Sequence, residues 1–365
     1  MRRISSRYLK PGMVLGRPVY SSNGYLLLDL GTELSKNALL ILAKHRVTEV
    51  FVRDIRTADV FVHPMIAPEV EALVAQALWR LDAEDLVNGD LSDEPLNHME
   101  RSVNAMVREL FPEALGEACV SGCLSLEDYK FLQPAKVAGL CLCIGRNVGY
   151  DIFELSKLAM AALTMNVGYA LAPSWMMDQT DALPEKINQD IPRHPDRGAE
   201  ILGQYDRFAP ETLEAVLQHH ERWDGTGYPA RLQGEDICPF ARIIAVADTY
   251  YEMVSRRPGR EPYMPHEAVE FILAYNGVLF DPELVQIVTR LVPLYPTGTT
   301  VRVNTGELGI ISNANLGHIG RPVIRVCFNS ESGILAKPYE MNLAEPKHQH
   351  RLVETVDAHL PILEE

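Results

Sequence analysis

Two histidines, His219 and His220, open the stretch HHERWDGTGYP. Imidazole is a ligand for Fe, Mn, Zn and Ni, so a pair of them is a natural start for a metal site. Both fall at the end of the amphipathic segment ETLEAVLQHH. Neighbours on a helix point about 100° apart, so the pair reaches either two metal positions or one metal and one bound group. Two more donors lie in periodic segments nearby. His194 opens HPDRGAEIL after a proline break, and Asp248 interrupts the apolar run IIAVADTY. A carboxylate buried in an apolar helix needs a cation or several donors. Three imidazoles and one carboxylate suit a transition metal. Plainer roles stand beside this one: His194 as a packed helix residue, Asp248 as the partner of an arginine such as Arg242, and Asp224 with its glycines as ordinary turn chemistry.

These residues need helices to hold them, and the pattern supplies them. Residues 118–293 read as successive periodic segments, among them ELSKLAMAALTM, PDRGAEILGQY, FARIIAVADTYYEMV, PHEAVEFILAY and PELVQIVTRLV, parted by Gly and Pro turns. Upstream, residues 1–63 form a small α/β module. Asn23-Gly24 between apolar runs predicts a hairpin, and SKNALLILAKHRVTEVFV predicts a helix capped by Ser35 and then a strand. Residues 64–117 read as a helical connector, with VNGDLSDEP as an exposed loop. After Pro293 the texture is β-branched and punctuated by glycine, which predicts a small antiparallel barrel or sheet over 294–345. A tail, 346–365, ends in PILEE. The fold class expected is mainly α, a helical bundle between a small N-terminal α/β module and a small barrel-like C-terminal module.

A chain of 365 residues exceeds one ordinary core, and 47 % apolar content supports packed domains. A net charge of −15 argues against binding DNA or RNA polymers. An anionic ligand would need a local basic pocket. The six cysteines, at 119, 123, 141, 143, 238 and 327, lack the spacing of a zinc knot and read as reduced thiols of a cytoplasmic protein. The N-terminus has no apolar signal region. The uncharged run 158–177 is rich in Ala and broken by Asn166, Gly168, Pro173 and Ser174. It reads as a buried helix ending before Pro173 rather than a membrane span.

HHERWDGTGYP matches the H-H-E-x-x-D-G-x-G-Y-P signature of HD-GYP proteins at every defined position. RHPDRGAEIL resembles the family's T-H-P-x-x-G-x-x-I-L, and ARIIAVADTYYEMVSRRPGR resembles its A-R-I-I-A-V-A-D helix with the arginine-containing loop after it. The resemblance covers roughly residues 118–293. LKPGMVLGRPVY and YPTGTTVRVNTGELGIIS are similar to segments that accompany this domain. It implies an HD-type helical bundle and hydrolysis of cyclic di-GMP to pGpG or GMP at a site of two or three metals. It also implies ligand roles for His194, His219, His220 and Asp248. Arg257 and Arg260 occupy the loop where the family contacts phosphate. Asp224, Gly227, Tyr228 and Pro229 keep the family's loop, read as a ligand lid, as a surface for a protein partner, or as a piece that only holds the fold together.

The family also carries a histidine on its first helix and then an H-D-x-G-K motif. The matching positions here read Gln133 in DYKFLQPAKVAGL, and Met165, Asn166 and Tyr169 in MNVGY. A thioether is a poor ligand for these metals, a neutral amide cannot bridge two cations, and tyrosine brings no positive charge to a phosphate. His63, His98, His266 and His318 lie outside the aligned positions. The expectation is a degenerate HD-GYP domain holding at most one transition metal ion (Fe, Mn, Zn or Ni) on His194, His219 and His220. Such a chain would be a bacterial signalling protein, a binding or regulatory module for cyclic di-GMP with little or no hydrolysis. The alternatives are an active cyclic di-GMP phosphodiesterase with a reduced, single-metal or rearranged site, and a purely structural interaction scaffold.

Overall fold

The structure is a computed structural model that describes residues 1–81, 83–110, 128–169, 193–255, 261–329 and 333–356. The chain starts as strands. β1 (Arg2–Ser5), β2 (Val14–Leu15) and β5 (Glu49–Arg53) form an antiparallel sheet in the order β1-β5-β2. β3 (Val19–Tyr20) and β4 (Leu26–Leu28) pair across the Asn23-Gly24 turn, as the sequence predicts. The hairpin tip is anchored from outside: the Gln76 amide donates to the Gly24 carbonyl at 2.7 Å. α1 (Lys36–Lys44) begins where Ser35 accepts from the Ala38 amide at 3.1 Å, which satisfies one orphan donor of the first turn.

The connector is helical: α2 (Pro68–Trp79), α3 (Ala83–Asn88) and α4 (Asp93–Glu109). Then come α5 (Asp128–Val148), α6 (Ile152–Thr164), α7 (His194–Leu202), α8 (Pro210–Gln218), α9 (Pro239–Val254), α10 (Pro265–Ala274) and α11 (Pro282–Leu291). Five helices start on proline, whose missing N–H costs nothing in a first turn and whose fixed φ suits it. The connector is no separate layer. Val74, Met99 and Met106 share one hydrophobic cluster with Leu140 of α5 and Ile244 of α9. α6 ends at Thr164, its last turn buried, and residues 170–177 of the uncharged run lie outside the described residues. Among the described residues no helix is long and apolar enough to cross a membrane.

β6 (Thr300–Val303), β7 (Leu308–Asn313), β8 (Val323–Asn329), β9 (Gly333–Asn342) and β10 (Val353–Thr355) make an antiparallel sheet in the order β10-β6-β7-β8-β9. The expected barrel-like module is thus an open sheet. Its two edges, β9 and β10, do not pair among the described residues, and β10 offers only three residues of ladder. That edge strand lies beyond residue 345, so the module continues into the segment read as a tail. The two end modules touch: Arg325 forks Asp59, with Nη2 to Oδ2 at 2.8 Å, and Arg3 N–H donates to the Gly298 carbonyl at 3.1 Å. Cys141, Cys143, Cys238 and Cys327 are buried free thiols, and burial pushes Cys143 up to about 12, which leaves it inert. Cys119 and Cys123 lie outside the described residues.

Candidate metal and ligand site

The site forms where the end of α8, the start of α7, the middle of α9 and the turn after α6 converge. α8 finishes at Gln218 and leaves its last carbonyls without helical partners. The Val216 carbonyl finds one in the ring of His219, at 2.7 Å from Nδ1. A carbonyl only accepts, so Nδ1 carries the proton and Nε2 presents a lone pair. That lone pair faces His194, whose Nε2 lies 3.1 Å away and donates to it. The ring of His220 completes the group. One ligand atom from each of His194, His219 and His220 lies within 4.8 Å of the others. Burial, reinforced by the neighbouring imidazoles and by Arg222, lowers His219 to about 3 and pushes His220 well below its ordinary value. All three conditions favour neutral imidazole, the form that binds a metal.

The spacing fits one ion. Ligand nitrogens about 2.0–2.1 Å from a tetrahedral metal stand about 3.3 Å apart, against 3.1 Å between His194 and His219 Nε2. The hydrogen bond from the His219 Nδ1 to a backbone carbonyl is the second contact that such ligands usually need to fix their tautomer. The adjacent histidines each contribute a ligand atom to this one cluster.

Asp248 is not among those three mutually close ligand residues. It is buried in α9, and the buried amide of Gln133 on α5 donates to its Oδ1 at 3.4 Å. The arginine considered from sequence is engaged elsewhere: Arg242 pairs with Asp281 at 2.8 Å. Met165 caps α6 and is fully buried in the main hydrophobic cluster. Asn166 is half-buried and its carbonyl accepts from the Tyr169 amide at 3.0 Å. The Tyr169 ring stacks on His194 with centroids 4.1 Å apart, so it covers one face of an imidazole in the cluster. Gly168 beside it admits no side chain, since a Cβ would sit 2.0 Å from the His194 carbonyl oxygen.

The loop after His220 closes the opposite side. Tyr228 stacks on His220 at 4.8 Å, and its amide donates to the His220 carbonyl at 3.3 Å. Burial first, then Glu252 and Asp248, raise its phenol above the ordinary range. A Cβ on Gly227 would lie 2.5 Å from that same carbonyl oxygen, which is why the loop can fold so close. Asp224 accepts from Thr226 N–H at 3.0 Å and from its hydroxyl, a turn-forming role. The Tyr228–Pro229 peptide is cis. Arg257 and Arg260 lie outside the described residues.

Two residues of the motif have a part that sequence reasoning left unassigned. Glu221 is buried, and its carboxylate accepts from Ala230 N–H at 2.7 Å and Leu232 N–H at 3.1 Å. It pins the far end of the loop over the histidines. Arg222 lowers both His219 and His220 through its charge, and its Nη1 is buried with no hydrogen bond. The only sequence signal for either was membership of the quoted motif.

Comparison with known proteins agrees with this architecture. Residues 118–284 match the HD domain family. The cyclic di-GMP phosphodiesterase PA4108 of Pseudomonas aeruginosa is 26 % identical over 78 % of this chain and 64 % of its own length. The cyclic di-GMP phosphodiesterase response regulator RpfG of Xanthomonas campestris pv. campestris is 36 % identical over 42 % of this chain and 40 % of its own. The chain thus spans less than two thirds of either relative. A solved structure, Bd1817, a HDG"Y"P protein from Bdellovibrio bacteriovorus, shares the fold with a TM-score of 0.50, at 16 % identity, over 78 % of this chain and 97 % of that one. The helical centre of this chain is an HD domain. Its loop from His219 to Pro229 carries the HD-GYP signature.

Proposed function

We propose that the chain is a cyclic di-GMP signalling protein whose degenerate HD-GYP domain binds or relays and does not hydrolyse. The observation that carries this is the Gln133 amide hydrogen-bonded to the buried Asp248. In a two-metal site that carboxylate would face a cation. Here a neutral N–H donor reaches it from the helix position aligned with the family's histidine. The rest of that position fits a metal no better, because Met165 packs into the core and Asn166 is a neutral amide. Two similar proteins named as cyclic di-GMP phosphodiesterases support this ligand class.

The other half of the site supports one transition metal. His194, His219 and His220 would hold it, and it would supply Lewis acidity toward a phosphoryl oxygen. The chain's own residues do the remainder. Tyr169 and Tyr228 cover two imidazole faces, Glu221 holds the loop, and Arg222 brings positive charge beside the cluster. Arg257 and Arg260 would add phosphate contacts, and Asp224, Gly227, Tyr228 and Pro229 would form the lid or a partner surface. The test is metal quantification of purified chain together with calorimetric titration of cyclic di-GMP and assay of its turnover in Mn and Fe. At most one metal, saturable binding and no product are expected. Release of pGpG or GMP, abolished by His220→Ala, would show an enzyme. Neither metal nor nucleotide binding would leave the interaction scaffold.

A further inference from the structure

Between the N-terminal module and the helices lies a cavity of about 60 Å³. At roughly 10–15 Å³ per water, that is room for about four to six waters. Its walls are largely apolar, with Val19, Phe51, Ile66 and Ala72 among them. A smaller hollow of about 10 Å³ adjoins it through Pro64, Ile66 and Glu71, and reaches Lys136 and Gly139 of α5 and Tyr251 of α9.

Arg17 lines the larger cavity and is only 9 % exposed. Its guanidinium lies over the Phe51 ring, 4.6 Å from the centroid, and Nη2 donates to the Val62 carbonyl. A guanidinium has five N–H donors, and this carbonyl uses one. Arg17 makes no ion pair among the described residues. Glu71 lines the same cavity and its charge acts with that of Arg17, yet no hydrogen bond joins them among the described residues, and the remaining donors of the fork match a carboxylate. The nearby acids do not supply the match. Glu49 lies 3.6 Å from Arg3. Glu71 makes no hydrogen bond; burial raises its carboxyl, while Lys136 and Arg17 act in the opposite direction.

We propose that this cavity binds a small organic monocarboxylate, held by the Arg17 fork, with its apolar or aromatic body against Val19, Phe51, Ile66 and Ala72. None of its lining residues belongs to the histidine cluster, so this site is separate from it and does not depend on its reading. It bears on the same helices, however. Lys136 follows Gln133 by one turn on α5, and Tyr251 follows Asp248 by one turn on α9. The larger cavity reaches these two helices only through the adjoining hollow.

The test is calorimetry and ligand-observed NMR on the full chain with propionate, hexanoate and benzoate, and with their primary amides as neutral counterparts. At least one acid should bind saturably, and its amide about tenfold more weakly or not at all. Arg17→Gln should weaken the acid about tenfold or more. Ala72→Leu should fill the cavity and abolish binding while the thermal unfolding transition is kept; Ile66→Phe serves if that variant does not fold. No saturable acid binding up to about 10 mM, equal affinity for acid and amide, or binding untouched by both the charge and the filling variant would each overturn the proposal.

Discussion

Replacing Gln133 by leucine should destabilise the chain through Asp248. The side chain is 1 % exposed and leucine is of similar size, so little cavity is left behind. What is lost is a hydrogen bond to a buried carboxylate. Such bonds contribute about 1.5–3 kcal/mol, and a separation of 3.4 Å places this one at the low end, about 1.5 kcal/mol. In an Asp248→Asn background the same change removes a neutral bond worth about 0.5 kcal/mol. The coupling between the two positions should therefore be about 1 kcal/mol. Urea unfolding of the four proteins, followed by circular dichroism after chelation, measures it directly. A coupling within about 0.3 kcal/mol of zero, the scatter of independent sites, would refute the account. The amide would then not support the carboxylate, and the case against a metal there would lose its main physical footing.

Combining Gln133→His, Met165→His, Asn166→Asp and Tyr169→Lys should raise the metal content toward two per chain by elemental analysis; a content unchanged from the parent would show that the backbone no longer presents the second position. Glu221→Gln turns an amide N–H toward backbone donors in a buried setting and should cost about 2–3 kcal/mol, seen as faster proteolysis between residues 221 and 234; cleavage at the parental rate would remove Glu221 as the loop's anchor. At Asp54 burial alone would raise the carboxyl, but hydrogen bonds from Arg56 and the charge of Arg2 outweigh it and hold it below the ordinary range. Its contribution to stability is present above the ordinary carboxylate pKa and is lost as the pH falls through the depressed one, so Asp54→Asn should be less stable near neutrality yet show a flatter decline in acid; parallel pH profiles of parent and variant would contradict this.

Much of the fold was legible because it is local. Ser35 caps α1, Asn23-Gly24 turns the β3–β4 hairpin, and prolines start five helices, all from short-range backbone preferences. The histidine cluster was legible for a similar reason. Adjacent residues at a helix end must lie close, and motif identity tied them to His194. The absence of histidine at Gln133 and Met165 is a fact of sequence alone. What those side chains meet is not. Gln133 meets Asp248 across 115 residues, Tyr169 lies flat on His194, and Arg242 turns to Asp281 and leaves the carboxylate of its own helix. The connector sharing the bundle's core, the sheet staying open, and the contact of Arg325 with Asp59 belong to the same class. Each depends on which way a side chain points after distant segments have packed. Periodicity names the face of a helix but not its neighbour, and the free energy of a buried polar group is decided by that neighbour.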